Sequence, residues 1–113
     1  MNNITFYHNP RCSKSREALE LIREKKGEPT IVEYIKEPLN AEDLQNLLSL
    51  LNMQAMDLIR KKETLYKEIN PQTQEEALNA MIQHPKLIER PIVVSGKKAV
   101  IGRPKEAVLT LFK

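Results

Sequence analysis

Apolar residues recur along this chain with two different periods, and the period switches twice. The first run, Ile4 to His8 (ITFYH), is rich in β-formers and stops at Asn9-Pro10, a break. From about Ser13 to Lys26 the period lengthens, and Ala18, Leu19 and Ile22 fall on one face of a predicted helix. Lys25 and Lys26 suit the negative end of that helix, and Gly27 can close it in the left-handed conformation. Thr30 to Ile35 (TIVEYI) then predicts a second strand. Strand–helix–strand in that order predicts a parallel pair with a right-handed crossover.

The middle of the chain reads as helix throughout, from about residue 40 to 86. Asn40 can cap a helix with Glu42 and Asp43 in its first turn, and Leu44, Leu47, Leu48 and Leu51 form one stripe. A short helical pattern spans Gln54 to Lys61. Another opens with Thr73-Gln74-Glu75-Glu76, a capping box, and turns Ala77, Leu78, Met81 and Ile82 inward. The short period then returns. Ile92 to Val94, a turn at Ser95-Gly96, and Ala99 to Ile101 predict a hairpin, with Pro104 opening a final helix that carries Val108, Leu109 and Leu111. The pattern predicts one α/β domain over residues 1–113, βαβ then ββα, with a helical insertion at about 40–86.

Composition narrows what such a domain could do. At 113 residues the chain can bury a core without staples, and with few aromatics that core must be mostly Leu, Ile, Val and Met. A net charge of +3 suits an anionic small molecule; no clustered basic face argues for nucleic acid. The start, MNNITFY, has no basic n-region before a long apolar run, and no stretch approaches the ~20 apolar residues of a membrane span. A cytoplasmic monomer that touches neither nucleic acid nor membrane is expected. One cysteine excludes an internal disulfide, and with two histidines it makes a poor metal set, so no metal is expected.

That cysteine, Cys12, is the candidate for chemistry. A lone cysteine is most often a small buried hydrophobe. Here its neighbours Arg11, Ser13, Lys14, Ser15 and Arg16 are polar or basic, and it sits where a strand gives way to a helix. Unpaired amides and the positive dipole end at such a junction favour a thiolate. An ordinary thiol with pKa near ~8.5 is only about 3% ionised at pH 7, and a helix N-terminus or adjacent cations lower that value. The helix start has no evident capping box, since Ser13 is followed at three residues by Arg16, which leaves amides for the sulfur or an anion. Ser15 stands where a dithiol would place a second cysteine, so any disulfide must form with another molecule. A phosphatase-type Cys-x5-Arg loop would need arginine where Ala18 stands. A Cys–His pair could draw on His8, which ends the strand delivering Cys12, or on His84, which sits at a helix end before Pro85.

Three arginines, Arg60, Arg90 and Arg103, each stand where an element begins or ends, two of them beside a proline. Their planar forks match tetrahedral oxyanions. Spacing alone favours three solvated arginines over three that converge.

The stretch YHNPRCSKSREALELI, with LIRKKE around Arg60, ERPIVV around Arg90 and IGRP around Arg103, resembles the glutaredoxin-linked arsenate reductase family over nearly the whole chain. The resemblance implies a thioredoxin-like mixed sheet with a helical insertion, and a cis proline at Pro91 facing the cysteine. It implies that Cys12 attacks arsenate, that Arg60, Arg90 and Arg103 hold the oxyanion, and that His8 and Ser15 support ionisation of the thiol. Arg16 lies in the same segment. No bound cofactor is implied. Glutathione is the implied co-substrate, and glutaredoxin resolves the mixed disulfide that Ser15 cannot. Two alternatives stay open: an Spx-like thiol-redox regulator that binds RNA polymerase, and a general glutathione-dependent oxidoreductase whose arginines hold glutathione carboxylates. A protein that only binds its ligand is the plainest third.

Overall fold

The structure, a computed structural model, describes residues 3–112. The chain divides into two compact units, Met1–Glu37 with Arg90–Lys113, and Pro38–Glu89.

The first unit is built on a four-stranded sheet in the order β2-β1-β3-β4. Its strands are β1 (Ile4–Tyr7), β2 (Thr30–Val32), β3 (Ile92–Ser95) and β4 (Lys98–Ile101). Phe6 of β1 pairs in parallel with Ile31 and antiparallel with Val93, and Val93 pairs antiparallel with Val100. The sheet is therefore mixed, with the parallel pair at one edge, as the resemblance implies. Ile4 and Phe6 alternate onto one face, where they meet Ala18, Leu19 and Ile22 of α1 (Ser13–Lys26) and Val108 and Leu111 near the C-terminus. Each fully buried large side chain in this layer contributes about 1.5–3 kcal/mol. Helix α1 stops at Gly27, but at φ 93° and ψ −169° rather than in the expected left-handed helical conformation, because the chain turns straight into the extended run toward β2, a backbone state that suits glycine. The β3–β4 turn places Gly96 at φ 62° as the first of its two central residues, the II′ geometry that matches strand twist.

Two further expectations for this unit are corrected. Strand β2 ends at Val32, not Ile35, because Val32 pairs with Tyr7, the last residue of β1, and has no neighbour beyond it. The chain curls there instead, with the amides of Lys36 and Glu37 both donating to the Glu33 carbonyl, and Tyr34 is buried. The final helix is a 3-10 segment, Lys105–Phe112; Pro104 precedes it, and the Arg103–Pro104 bond is cis.

The second unit is helical: α2 (Ala41–Leu51), α3 (Ala55–Leu58), α4 (Thr64–Ile69), α5 (Gln74–Gln83) and a 3-10 turn at Pro85–Leu87. Helix α5 packs against α2, α3 and the 3-10 turn. Asn40 and Asp43 form a reciprocal capping box at α2. Thr73 caps α5 by accepting from the Glu76 amide, but the Glu76 carboxylate accepts from Gln72 rather than completing a box. The helix expected over Gln54 to Lys61 is a single turn, because Ile59 leaves it for an extended bridge to Ile88. Helix α4 had no stripe to announce it and buries no residue.

Candidate active site

The turn between β1 and α1 is pinned from several sides. The Cys12 amide donates to the Asn9 carbonyl at 3.0 Å, the Arg11 amide to Asn9 Oδ1 at 3.1 Å, and Arg16 Nη1 to the Pro10 carbonyl at 2.8 Å. Cys12 is extended (φ −98°, ψ 121°) and occupies the N-cap position of α1. It makes no conventional side-chain cap bond, so the first-turn amides act on the half-buried sulfur as directed dipoles.

Those dipoles matter to the thiol. Burial by itself pushes the Cys12 pKa up. The Ser15 amide, a hydrogen bond from the Arg90 side chain, the Arg90 charge and the Lys14 amide all pull it down. The downward pull wins, and the thiol lies below its ordinary value.

Arg90 and Arg103 come to this sulfur through β3 and β4. Arg103 Nη2 donates to Cys12 Sγ at 3.6 Å, and its Nε donates to the Arg90 carbonyl at 2.6 Å. Arg90 is half-buried, and its Nε and Nη1 are buried without a hydrogen-bond partner among the described residues. The Arg90–Pro91 bond is cis. Pro91 is buried, and its carbonyl accepts from the Gly102 amide at 2.8 Å. A Cβ on Gly102 would lie 2.9 Å from Pro91 Cγ, 3.0 Å from Val108 Cγ1 and 3.4 Å from Ala18 Cβ. Only glycine lets the segment that leads from β4 to Arg103 approach the proline beside Arg90 this closely. Reading the sequence for chemistry overlooked Gly102; its place between Ile101 and Arg103 offered no signal beyond its being a glycine.

His8 and Ser15 are both buried. His8 Nδ1 lies 2.7 Å from Ser15 Oγ, which also accepts from the Asn9 amide at 3.1 Å. After taking the Asn9 amide, Oγ keeps one hydrogen and one acceptor site, so it bonds Nδ1 whichever ring nitrogen carries the imidazole hydrogen. Burial lowers the His8 pKa, as do the more distant Arg23 and Arg16 charges, and Glu33 opposes them. His8 thus ties the strand end to the first turn of α1, while Ser15 offers its amide to the sulfur and its hydroxyl to His8.

Arg60 belongs to the second unit, and its partners there are acidic. Its Nη1 lies 3.1 Å from Glu63 Oε2 and its Nε 3.5 Å from Glu89 Oε1. His84 is also in that unit, closing α5. Among the described residues no group of three or more His, Cys, Asp or Glu side chains could hold a metal ion, and no helix is long and apolar enough to cross a membrane.

Chemically, the first-unit cluster offers one activated sulfur, two guanidinium groups on it and buried donors facing no acceptor, a combination fit for an anion that a thiolate can attack. Residues 7–111 match the model of the ArsC family. The chain is 52% identical to the uncharacterized protein YfgD of Escherichia coli K12, covering 96% of this chain and 95% of that protein. It is 40% identical to an arsenate reductase of Haemophilus influenzae over 97% of this chain and 99% of that one. Among solved structures it is similar to an arsenate reductase from Vibrio cholerae, at TM-score 0.92 and 40% identity, covering 96% of this chain and 97% of that one. A model match over nearly the whole length, with full-length relatives at this identity, leaves one assignment: the chain belongs to the ArsC family.

Proposed function

We propose that this protein reduces arsenate to arsenite, with Cys12 as nucleophile and with glutathione and glutaredoxin as the source of electrons. The observation that carries the reading is the Cys12 sulfur, held below its ordinary pKa and flanked by Arg90 and by Arg103 at 3.6 Å. The unpartnered buried donors of Arg90 support it further, because a tetrahedral oxyanion supplies the acceptors they lack. Family membership supports the choice of arsenate among such anions.

The reaction divides into three exchanges. First the Cys12 thiolate attacks As(V); an As–S bond forms, an As–O bond breaks, and the oxygen leaves as water after protonation. Arg90 and Arg103, with Arg60 as the third guanidinium in this reading, bind the remaining oxygens and spread their charge. Next the glutathione thiolate attacks the Cys12 sulfur. An S–S bond forms as the As–S bond breaks, and its electron pair stays on arsenic, which leaves as arsenite, As(III). Finally a glutaredoxin thiolate attacks the glutathione sulfur and returns Cys12 as thiolate. Ser15 cannot form a disulfide, so the resolving thiol comes from outside the chain. His8 holds Ser15, and through it the first turn of α1, in register with the sulfur.

The test is arsenite formation by the purified protein with glutathione and glutaredoxin. Cys12→Ser is expected to produce none, and leaving out glutaredoxin is expected to stop turnover after the first mixed disulfide. Full activity in Cys12→Ser would overturn the mechanism.

A further inference from the structure

Arg60 is held differently from Arg90 or Arg103, and its surroundings are built by the backbone. The Ile59–Ile88 bridge is bracketed by two hydrogen bonds, Arg60 amide to Leu87 carbonyl at 2.7 Å and Glu89 amide to Leu58 carbonyl at 3.0 Å. This bridge brings Glu89 beside Arg60. On the other side, the Glu63 amide donates to the Arg60 carbonyl at 3.3 Å, closing a turn that brings Glu63 back over the guanidinium. Glu63 is the N-cap residue of α4, yet its side chain makes no cap bond. It turns to Arg60 instead. The Arg60 side chain is 17% exposed, and those of Glu63 and Glu89 are 29% and 31% exposed. One cation against two carboxylates leaves the trio net negative.

We propose that Glu63 and Glu89 form a carboxylate clamp that competes with the substrate oxyanion for Arg60 and so sets the affinity and selectivity of the reductase. The inference rests on the reading of Arg60 as an oxyanion ligand given above. To engage Arg60, an anion must take the place of a carboxylate already there. A bidentate, doubly charged tetrahedral oxyanion can make that exchange, whereas a singly charged anion gains too little to displace Glu63. The clamp also gives product release a direction. Arsenite is uncharged at neutral pH and cannot hold Arg60 against two carboxylates, so the clamp closes as the product forms.

The test is calorimetric titration of the full chain carrying Cys12→Ser, with arsenate and phosphate as separate probes. Adding Glu63→Gln is expected to tighten both anions roughly fivefold, and Glu89→Gln to do so by a smaller factor. Adding Arg60→Ala to Glu63→Gln is expected to erase the gain. Unchanged or weaker affinity in both glutamine variants overturns the clamp, as does a shift in melting temperature with no shift in affinity, the mark of a merely structural role. Failure to bind either anion in every variant overturns it too. Arsenite formation by the unmutated protein reads the other proposal separately. No arsenite with the affinity gain intact sinks the reaction and keeps the clamp; arsenite without the gain does the reverse.

Discussion

Arg90 and Arg60 are the same residue in opposite states. In the first unit Arg90 has two buried donors without an acceptor and a lowered thiol beside it. In the second unit Arg60 has two carboxylates within 3.5 Å. A buried donor without a partner costs about 1–3 kcal/mol, which a chain tolerates where a ligand will supply the acceptor. A guanidinium between carboxylates is satisfied already, and a ligand gains only the difference between new and old partners. One arginine is thus poised for an anion at the expense of stability, and the other is stable at the expense of affinity.

The widest separation between the two is expected from Arg90→Ala. It removes a charge-assisted contact to the oxyanion, worth roughly 1.5–3 kcal/mol, and one of the causes that lower the Cys12 thiol. Arsenate reduction at pH 7 should fall about a hundredfold, and the pH at which the thiol ionises should rise. Melting temperature should hold steady or increase, because two orphaned buried donors leave with the side chain. A variant that lost stability in step with activity would show that Arg90 is a structural ion.

Arg60→Ala should behave in the reverse sense. It strands Glu63 and Glu89 near one another without their cation, and stability should drop on the order of 1 kcal/mol. Arsenate affinity should weaken about tenfold, read as a higher KM with a smaller change in kcat. If the melting temperature of Arg60→Ala matched the unmutated protein while Arg90→Ala melted early, the contrast between the two arginines would be inverted.

Gly102→Ala probes how the first unit holds its guanidinium groups in place. The new methyl would press on Pro91 Cγ at 2.9 Å and Val108 Cγ1 at 3.0 Å, one a proline ring and the other a β-branched side chain, neither free to swing away. Overpacking should cost about 1 kcal/mol and lower the melting temperature by roughly 4 °C. Activity should fall several-fold as Pro91 carries Arg90 away from the sulfur. Unaltered arsenate turnover in a destabilised variant would separate the packing from the site.

Local signals carried much of the architecture. The ITFYH run, the Ala18/Leu19/Ile22 face, the Asn40 cap and the hairpin turn all report on neighbours within one element; the structure has the face and the cap where the pattern put them, ends β1 at Tyr7 rather than His8, and turns at Gly96-Lys97 rather than Ser95-Gly96. The errors came where a partner decided the outcome. Strand β2 stopped because β1 ran out, and α3 shortened because Ile59 found Ile88. The candidate chemistry follows the same division. That Cys12 stands at the start of a helix was legible from Asn9-Pro10 and the pattern after it. That Arg103 reaches its sulfur across 91 positions was not. Glu63 lies three residues after Arg60, spacing that marks a helical ion pair, and it was readable in principle. Glu89 was not, because only the bridge brings it there.

The smallest expected effect concerns His8 and the proton it does not carry. Its folded pKa lies below the ordinary 6.5, chiefly because it is buried. The unfolded chain therefore takes up a proton near pH 6.5 that the folded chain refuses. Stability is full above that pH and is lost as pH falls toward the folded value. Protonation fixes a hydrogen on Nδ1, which donates to the acceptor site that Ser15 Oγ keeps, so the 2.7 Å contact persists and the cost is that of burying the charge. In His8→Gln an amide can still meet Ser15 Oγ but has no proton to take up. Urea unfolding between pH 7 and about 5.5, a window above the titration of ordinary carboxylates, should show a decline in the unmutated protein that is shallower in His8→Gln. Parallel profiles would mean that His8 is protonated as easily in the folded chain as in the unfolded one, and the neutral imidazole holding Ser15 beside the sulfur would have to be given up.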